Sequence, residues 1–175
     1  GWDFNGRFNM DIDLFGGFNY DMNATFTKSE EILSQTTAAS DTNNFVGDWG
    51  NPEWRGTVNN RFTSGDWGLN WRIRYLGEQA SISNVVGVNY GERLQAASEL
   101  GGDAVDSWDA VFYHDLSVNW EQDTWGITVA LNNVLDEDPA VVDQNASGAT
   151  QGSGSEVLGS GYDLVGRRLY LNVRK

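Results

Sequence analysis

Cysteine is absent, so neither a disulfide framework nor a thiolate metal site is available. Proline occurs only twice and histidine once. Positive charge is scarce. The 11 Lys and Arg stand against 25 Asp and Glu, for a net charge of −14. The basic footprint of nucleic-acid binding is therefore missing, and no nucleic-acid partner is expected. No run reaches the roughly 18 consecutive apolar residues that a membrane helix requires. No signal peptide is visible and the chain opens on Gly1, which reads as a mature exported product or a fragment of one.

What is present favours strands. Glycine is abundant (21), aromatics make up 13 %, and there are eight tryptophans. Seven segments alternate apolar and polar residues, the mark of a strand with two unlike faces. The first, about Trp2 to Ile12, sets Phe4, Phe8, Met10 and Ile12 against Asp3, Asn5, Arg7, Asn9 and Asp11. The second, about Phe15 to Ile32, sets Phe18, Tyr20, Met22, Ala24 and Phe26 against Asn19, Asp21, Asn23, Thr25 and Thr27. The third, about Glu53 to Thr63, opposes Trp54, Val58 and Phe62 to Arg55, Thr57, Asn59 and Arg61. In the fourth, about Asp66 to Glu78, Trp67, Leu69, Trp71, Ile73 and Tyr75 oppose Gly68, Asn70, Arg72 and Arg74. The fifth runs from about Ala110 to Glu121 and the sixth from about Thr124 to Leu135. The seventh closes the chain, with Leu169, Leu171 and Val173 opposite Arg168, Tyr170, Asn172 and Arg174. Gly6, Gly56, Asn60 and His114 interrupt the apolar faces.

The connections alternate in length. Asp13-Leu14, Ser64-Gly65 and Gln122-Asp123 read as tight hairpins. Residues 33–52, 79–109 and 136–161 read as long, weakly patterned loops. Short turns on one side and long loops on the other are the pattern of an antiparallel transmembrane β-barrel in the outer membrane. Long loops would face outside, with the short turns and the C-terminus in the periplasm. The aromatics fit this frame. Phe62, Trp67, Trp120 and Trp125 fall at the periplasmic ends of the outward faces, and Trp54, Tyr75, Phe26 and Phe112 nearer the other ends. Register is specified as well. A one-residue slip in the fourth segment would turn Arg72 and Arg74 into hydrocarbon, at roughly 2–4 kcal/mol each near the bilayer midplane.

Three stretches carry a family resemblance: Trp71-Arg-Ile-Arg-Tyr-Leu-Gly-Glu78, Asn132-Asn-Val-Leu-Asp-Glu-Asp-Pro139, and Gly166-Arg-Arg-Leu-Tyr-Leu-Asn-Val-Arg-Lys175. Together they resemble the C-terminal part of TonB-dependent outer-membrane receptors. The resemblance implies a barrel of twenty-two strands around an N-terminal plug, of which residues 1–175 would supply the last seven or so. It implies active uptake of a scarce nutrient, such as a siderophore or an oligosaccharide. The implied partners are outer-membrane lipid and lipopolysaccharide, the plug of the same parent protein, the TonB–ExbB–ExbD complex acting through it, and a small-molecule ligand. The last strand, with Gly166, Leu169, Tyr170, Leu171 and Val173, would be the signal read by the barrel-assembly machinery. The family usually ends that strand on an aromatic, whereas this chain ends at Lys175.

Arg55, Arg61, Asn70, Arg72, Arg74, Asp115 and Arg168 are the expected lumen lining. Each alone reads as wall that hydrates the lumen and balances its acids; as a group they mark where a plug would dock. Asp136, Glu137 and Asp138 read as a solvated loop start in preference to a calcium site, because EF-hand spacing is absent. His114 has no sequence partner for a metal or catalytic role. No nucleophile–base arrangement is present, so no enzyme, metal or cofactor is expected. Two other readings stay open: a passive porin-type barrel, and a soluble β-sandwich that binds carbohydrate through exposed tryptophans.

Overall fold

A computed structural model describes residues 1–13, 17–31, 33–35, 42–44, 46–47, 50–80, 107–143, 155–157 and 161–175. Among them the fold is all-β. Seven long strands form one sheet: β1 (Trp2–Ile12), β2 (Phe18–Lys28), β5 (Trp54–Ser64), β6 (Trp67–Leu76), β9 (Val111–Gln122), β10 (Trp125–Asn132) and β13 (Arg168–Arg174). Spatial order follows chain order and every ladder is antiparallel. The long connections contribute three small ribbons: β3 (Leu33–Gln35) with β4 (Thr42–Asn44), β7 (Gln79–Ala80) with β8 (Ser107–Trp108), and β11 (Val141–Asp143) with β12 (Ser155–Val157). Their short alternation left no visible pattern in sequence. Among the described residues the seven-stranded sheet is open, with β1 and β13 as its edges.

The hairpins sit later than the sequence suggests. Ser64 still pairs with Trp67, so the second turn is Gly65-Asp66, and Gly65 takes a φ of +52° at its first loop position. That conformation suits glycine and matches the right-handed strand twist. Gln122 likewise still pairs with Trp125, which makes the third turn Asp123-Thr124. The first connection is no two-residue turn. Its ladder ends at the pair Ile12 and Phe18, and residues 14–16 lie outside the described set. The sixth segment stops at Asn132, short of Leu135, because Asn133 turns to a φ of +50° and leaves the ladder.

The registers put most apolar residues of the seven strands on one face. One row runs Phe8, Met22, Asn60, Trp71, Leu116, Leu131 and Leu169 from edge to edge. The interruptions on this face have partners. Asn60 accepts from the Tyr20 hydroxyl at 2.8 Å and donates to the Trp71 carbonyl at 3.2 Å. His114 stacks on Trp71 and accepts its indole N–H at Nδ1, 3.1 Å away. Gly56 is covered by the Phe26 ring, which occupies the space that a Cβ there would need. Bare backbone under an aromatic is thereby shielded from solvent.

Among the described residues the compact core lies on the other face, at the long-connection end. Leu76, Val111 and Tyr113 from the sheet are buried with Ala140 and Tyr162 from the last long connection, and Trp108 packs against them. Gln79 donates to the Tyr162 hydroxyl at 2.8 Å and accepts the Gly50 amide at 2.6 Å, tying two connections together. Burial first, and then the neighbouring Tyr113, push the Tyr162 phenol up to about 12 from 10.0. A raised phenol favours the neutral folded form. Its contribution is therefore complete below pH 10.0 and fades as the pH climbs towards about 12. Alkaline titration followed by phenolate absorbance should show a late-ionising component, and Tyr162→Phe should reduce it by one tyrosine. A Tyr162 that ionises with the exposed tyrosines would show that this loop is not docked.

Candidate functional site

The polar face is organised in rows, one residue per strand. Thr27, Arg55, Leu76 and Val111 form the row nearest the long connections. Thr25, Thr57, Arg74 and Tyr113 form the next, then Asn23, Asn59, Arg72 and Asp115, then Asp21, Arg61, Asn70 and Ser117. Strand periodicity alone brings these side chains together, because residues two apart point the same way and antiparallel pairs share a face.

Asp115 is the hub. Its side chain is only 8 % exposed. Oδ2 accepts Arg72 Nε at 3.0 Å, Arg72 Nη2 at 2.8 Å and Arg74 Nε at 3.3 Å. Oδ1 accepts the backbone N–H of Asn133 at 2.9 Å. A buried carboxylate needs this many donors to offset its lost hydration. Asn133 is itself fully buried. Its amide exchanges two hydrogen bonds of 2.9 Å with the backbone of Glu137, and its carbonyl accepts the Asp136 N–H at 2.9 Å. The Asn132–Pro139 stretch thus works as a folded corner that delivers one amide to Asp115. Asp163 is a second hub, 3 % exposed. It takes Arg168 Nη2 at 2.8 Å, and Arg74 Nη2 stands 3.8 Å away. Arg74 joins the two hubs while its guanidinium lies 4.9 Å from the centre of the Tyr113 ring.

The rest of the face is uneven in charge. Arg7 reaches Asp21 at 3.5 Å and Arg174 reaches Glu121 at 3.2 Å. Arg55 donates to the Gly50 carbonyl at 2.7 Å. Neither Arg55 nor Arg61 has a carboxylate partner among the described residues. Asn70 donates to Ser117 at 3.4 Å. A hollow of about 250 Å³ opens beside Arg55 and Arg74, walled also by Thr25, Thr27, Thr57 and Tyr113. A wider one of about 640 Å³ runs along residues 107–111 and the acidic run Asp136 to Asp138. Asp136 is engaged there by Arg167, through its backbone N–H at 2.8 Å and its guanidinium at 3.3 Å. Among the described residues no group of three or more acids or histidines is arranged to hold a metal ion.

All the residues expected to share the polar face do so: Arg55, Arg61, Asn70, Arg72, Arg74, Asp115 and Arg168. Trp54, Phe62, Trp67, Tyr75, Trp120 and Trp125 lie on the apolar face near strand ends. Trp67 stacks obliquely on Trp120 at 6.3 Å and Tyr75 on Phe112 at 4.9 Å. Leu169, Tyr170, Leu171 and Val173 belong to the edge strand, where Leu169 and Leu171 are 71 % and 68 % exposed. Gly166 precedes that strand, at a φ of +76° beside Asp136. Sequence reasoning missed Asp163, Asn133, Gln79 and Tyr162 as members of the site. Asn133 carried one signal, its place in the Asn132–Pro139 stretch that bears the family resemblance. No family model, curated protein or solved structure matches this chain.

Proposed function

We propose that this chain forms part of the wall of an outer-membrane β-barrel, and that the barrel belongs to a TonB-dependent receptor importing a scarce nutrient. One observation carries the reading: one face of the seven-stranded sheet is largely apolar, and on it Phe8, Trp67, Trp71, Val129, Leu169 and Leu171 stay exposed. Large apolar residues contiguous over that area have no place in water. A lipid-facing wall needs them, with polar residues behind and aromatics towards the strand ends. Residues 1–175 would then be a C-terminal barrel portion. The unpaired edges β1 and β13 would join further strands, since an open edge is not tolerated in hydrocarbon. The polar face would line the lumen and meet the plug. The edge strand β13 would be read by the barrel-assembly machinery, and the outer ends would meet lipopolysaccharide. Import would draw on the TonB–ExbB–ExbD complex.

Reconstitution into vesicles of lipids brominated along their tails tests the membrane step. Tryptophan emission should be strongly quenched, because Trp67, Trp71 and Trp125 face outward and exposed. A chain that stays dissolved without detergent, with unquenched tryptophans, would defeat the reading and favour a soluble binding module. Co-isolation of TonB from native membranes extends the test to energised import; its absence would leave a passive barrel.

A further inference from the structure

We propose that the hollow between Arg55 and Arg74 is a binding site for a small oxyanion, a carboxylate or a phosphate. The strongest ground is local charge. The chain carries 25 acids and 11 bases, yet the described lining of this hollow holds two arginines and no carboxylate. The described carboxylates that touch its lining are already engaged. Asp115 Oδ2 already accepts three guanidinium N–H groups and Oδ1 an amide. Asp163 holds Arg168 at 2.8 Å, and its Oδ1 accepts the Val165 amide at 3.1 Å. Asp3 accepts the Thr27 hydroxyl at 2.7 Å.

The arginines keep donors in reserve. Among the described residues Arg55 gives one Nη2 bond, to the Gly50 carbonyl. Among the described residues Arg74 gives only Nε to Asp115, and its Nη2 is too far from Asp163 for a hydrogen bond. A guanidinium has five N–H groups in a planar fork that suits carboxylate and phosphate. Arg74 is also held in place, wedged between two anions and the Tyr113 ring. Its orientation cost is met before a ligand arrives. Thr25 and Thr57 bring hydroxyls to the same wall. At about 250 Å³ the hollow falls below the roughly 300 Å³ at which drug-sized pockets begin, so the anion is small.

The site names a ligand class for the proposed receptor and rests on the polar face being open to water. It does not rest on lipid contact, so failure of the vesicle experiment with binding intact would remove the receptor and keep the site. The test is calorimetric titration of the full chain in detergent with citrate, inorganic phosphate and neutral glucose. Saturable binding of citrate or phosphate is expected, and the better of the two identifies the anion. Glucose should give no saturable heat. Arg55→Gln should weaken binding about tenfold, the loss expected for a charged hydrogen bond, and Arg55→Lys by less. Arg55 is exposed and makes no ion pair among the described residues, so the fold should survive either change. Arg61→Gln, on the same face beyond the hollow, should leave binding unchanged. Equal weakening by Arg61→Gln would mean diffuse attraction to the whole face and overturn the site. Equal binding of glucose, or no saturable heat with either anion, would overturn it as well.

Discussion

Asp115→Ala should destabilise the sheet by about 3 kcal/mol, the low end of the range for breaking a buried ion pair. Removal of this carboxylate leaves Arg72 and Arg74 close together without the anion that separates their charges. It also strands the Asn133 amide in a fully buried corner. The low end applies because Arg72 and Arg74 are 49 % and 31 % exposed and can recover some hydration. Asp21→Ala is the matched control. Asp21 meets Arg7 at 3.5 Å with that arginine 75 % exposed, so its loss should cost under about 1 kcal/mol. Asp115→Asn should fall between the two, since an amide oxygen can still accept from Asn133 while the charge is gone. Urea-induced unfolding of the three variants in one detergent checks the order. If Asp115→Ala proves no worse than Asp21→Ala, Asp115 is ordinary lining and the folded corner at Asn133 stands without it.

The seven long strands and their shared apolar face were legible because strand periodicity is local: Trp67, Leu69, Trp71, Ile73 and Tyr75 declare a face without reference to any other segment. The same logic assigned Arg72, Arg74 and Asp115 to one side before their distances were known. Turn positions were one residue off, at Gly65-Asp66 and Asp123-Thr124, because alternation does not say which residue breaks the ladder. In the first of these turns that depends on Gly65 taking the positive φ. The second hub was illegible for a different reason. Asp163 reaches Arg74 only because the last connection folds back and buries Tyr162 against Leu76 and Val111. Neither alternation nor spacing encodes that return. Gly56 shows the same limit: it read as a flaw in an apolar face until the Phe26 ring was found lying over it. Such pairings are cross-strand properties, set by register rather than by either strand alone.

Two neighbouring arginine substitutions should part company sharply in a membrane. Val129 and Ala130 are adjacent in β10 and point to opposite faces. Val129 pairs with Val118 and Leu171 on the apolar side, while Ala130 pairs with Ser117 and Tyr170 on the polar side. Both flank the same backbone, so strand propensity and local strain nearly cancel between them. On the proposed membrane reading, what differs is the medium. Val129→Arg would carry a guanidinium into hydrocarbon at mid-strand, at roughly 2–4 kcal/mol. Ala130→Arg would extend into water near Tyr170 and should cost under about 0.5 kcal/mol, as surface substitutions do. Folding into lipid vesicles, followed by resistance to added protease, measures the difference. The expected result is efficient insertion for Ala130→Arg and poor insertion for Val129→Arg. Equal behaviour would mean that both faces meet the same solvent. The apolar face would then be a protein interface or a sandwich interior, and lipid would have no part in holding this sheet.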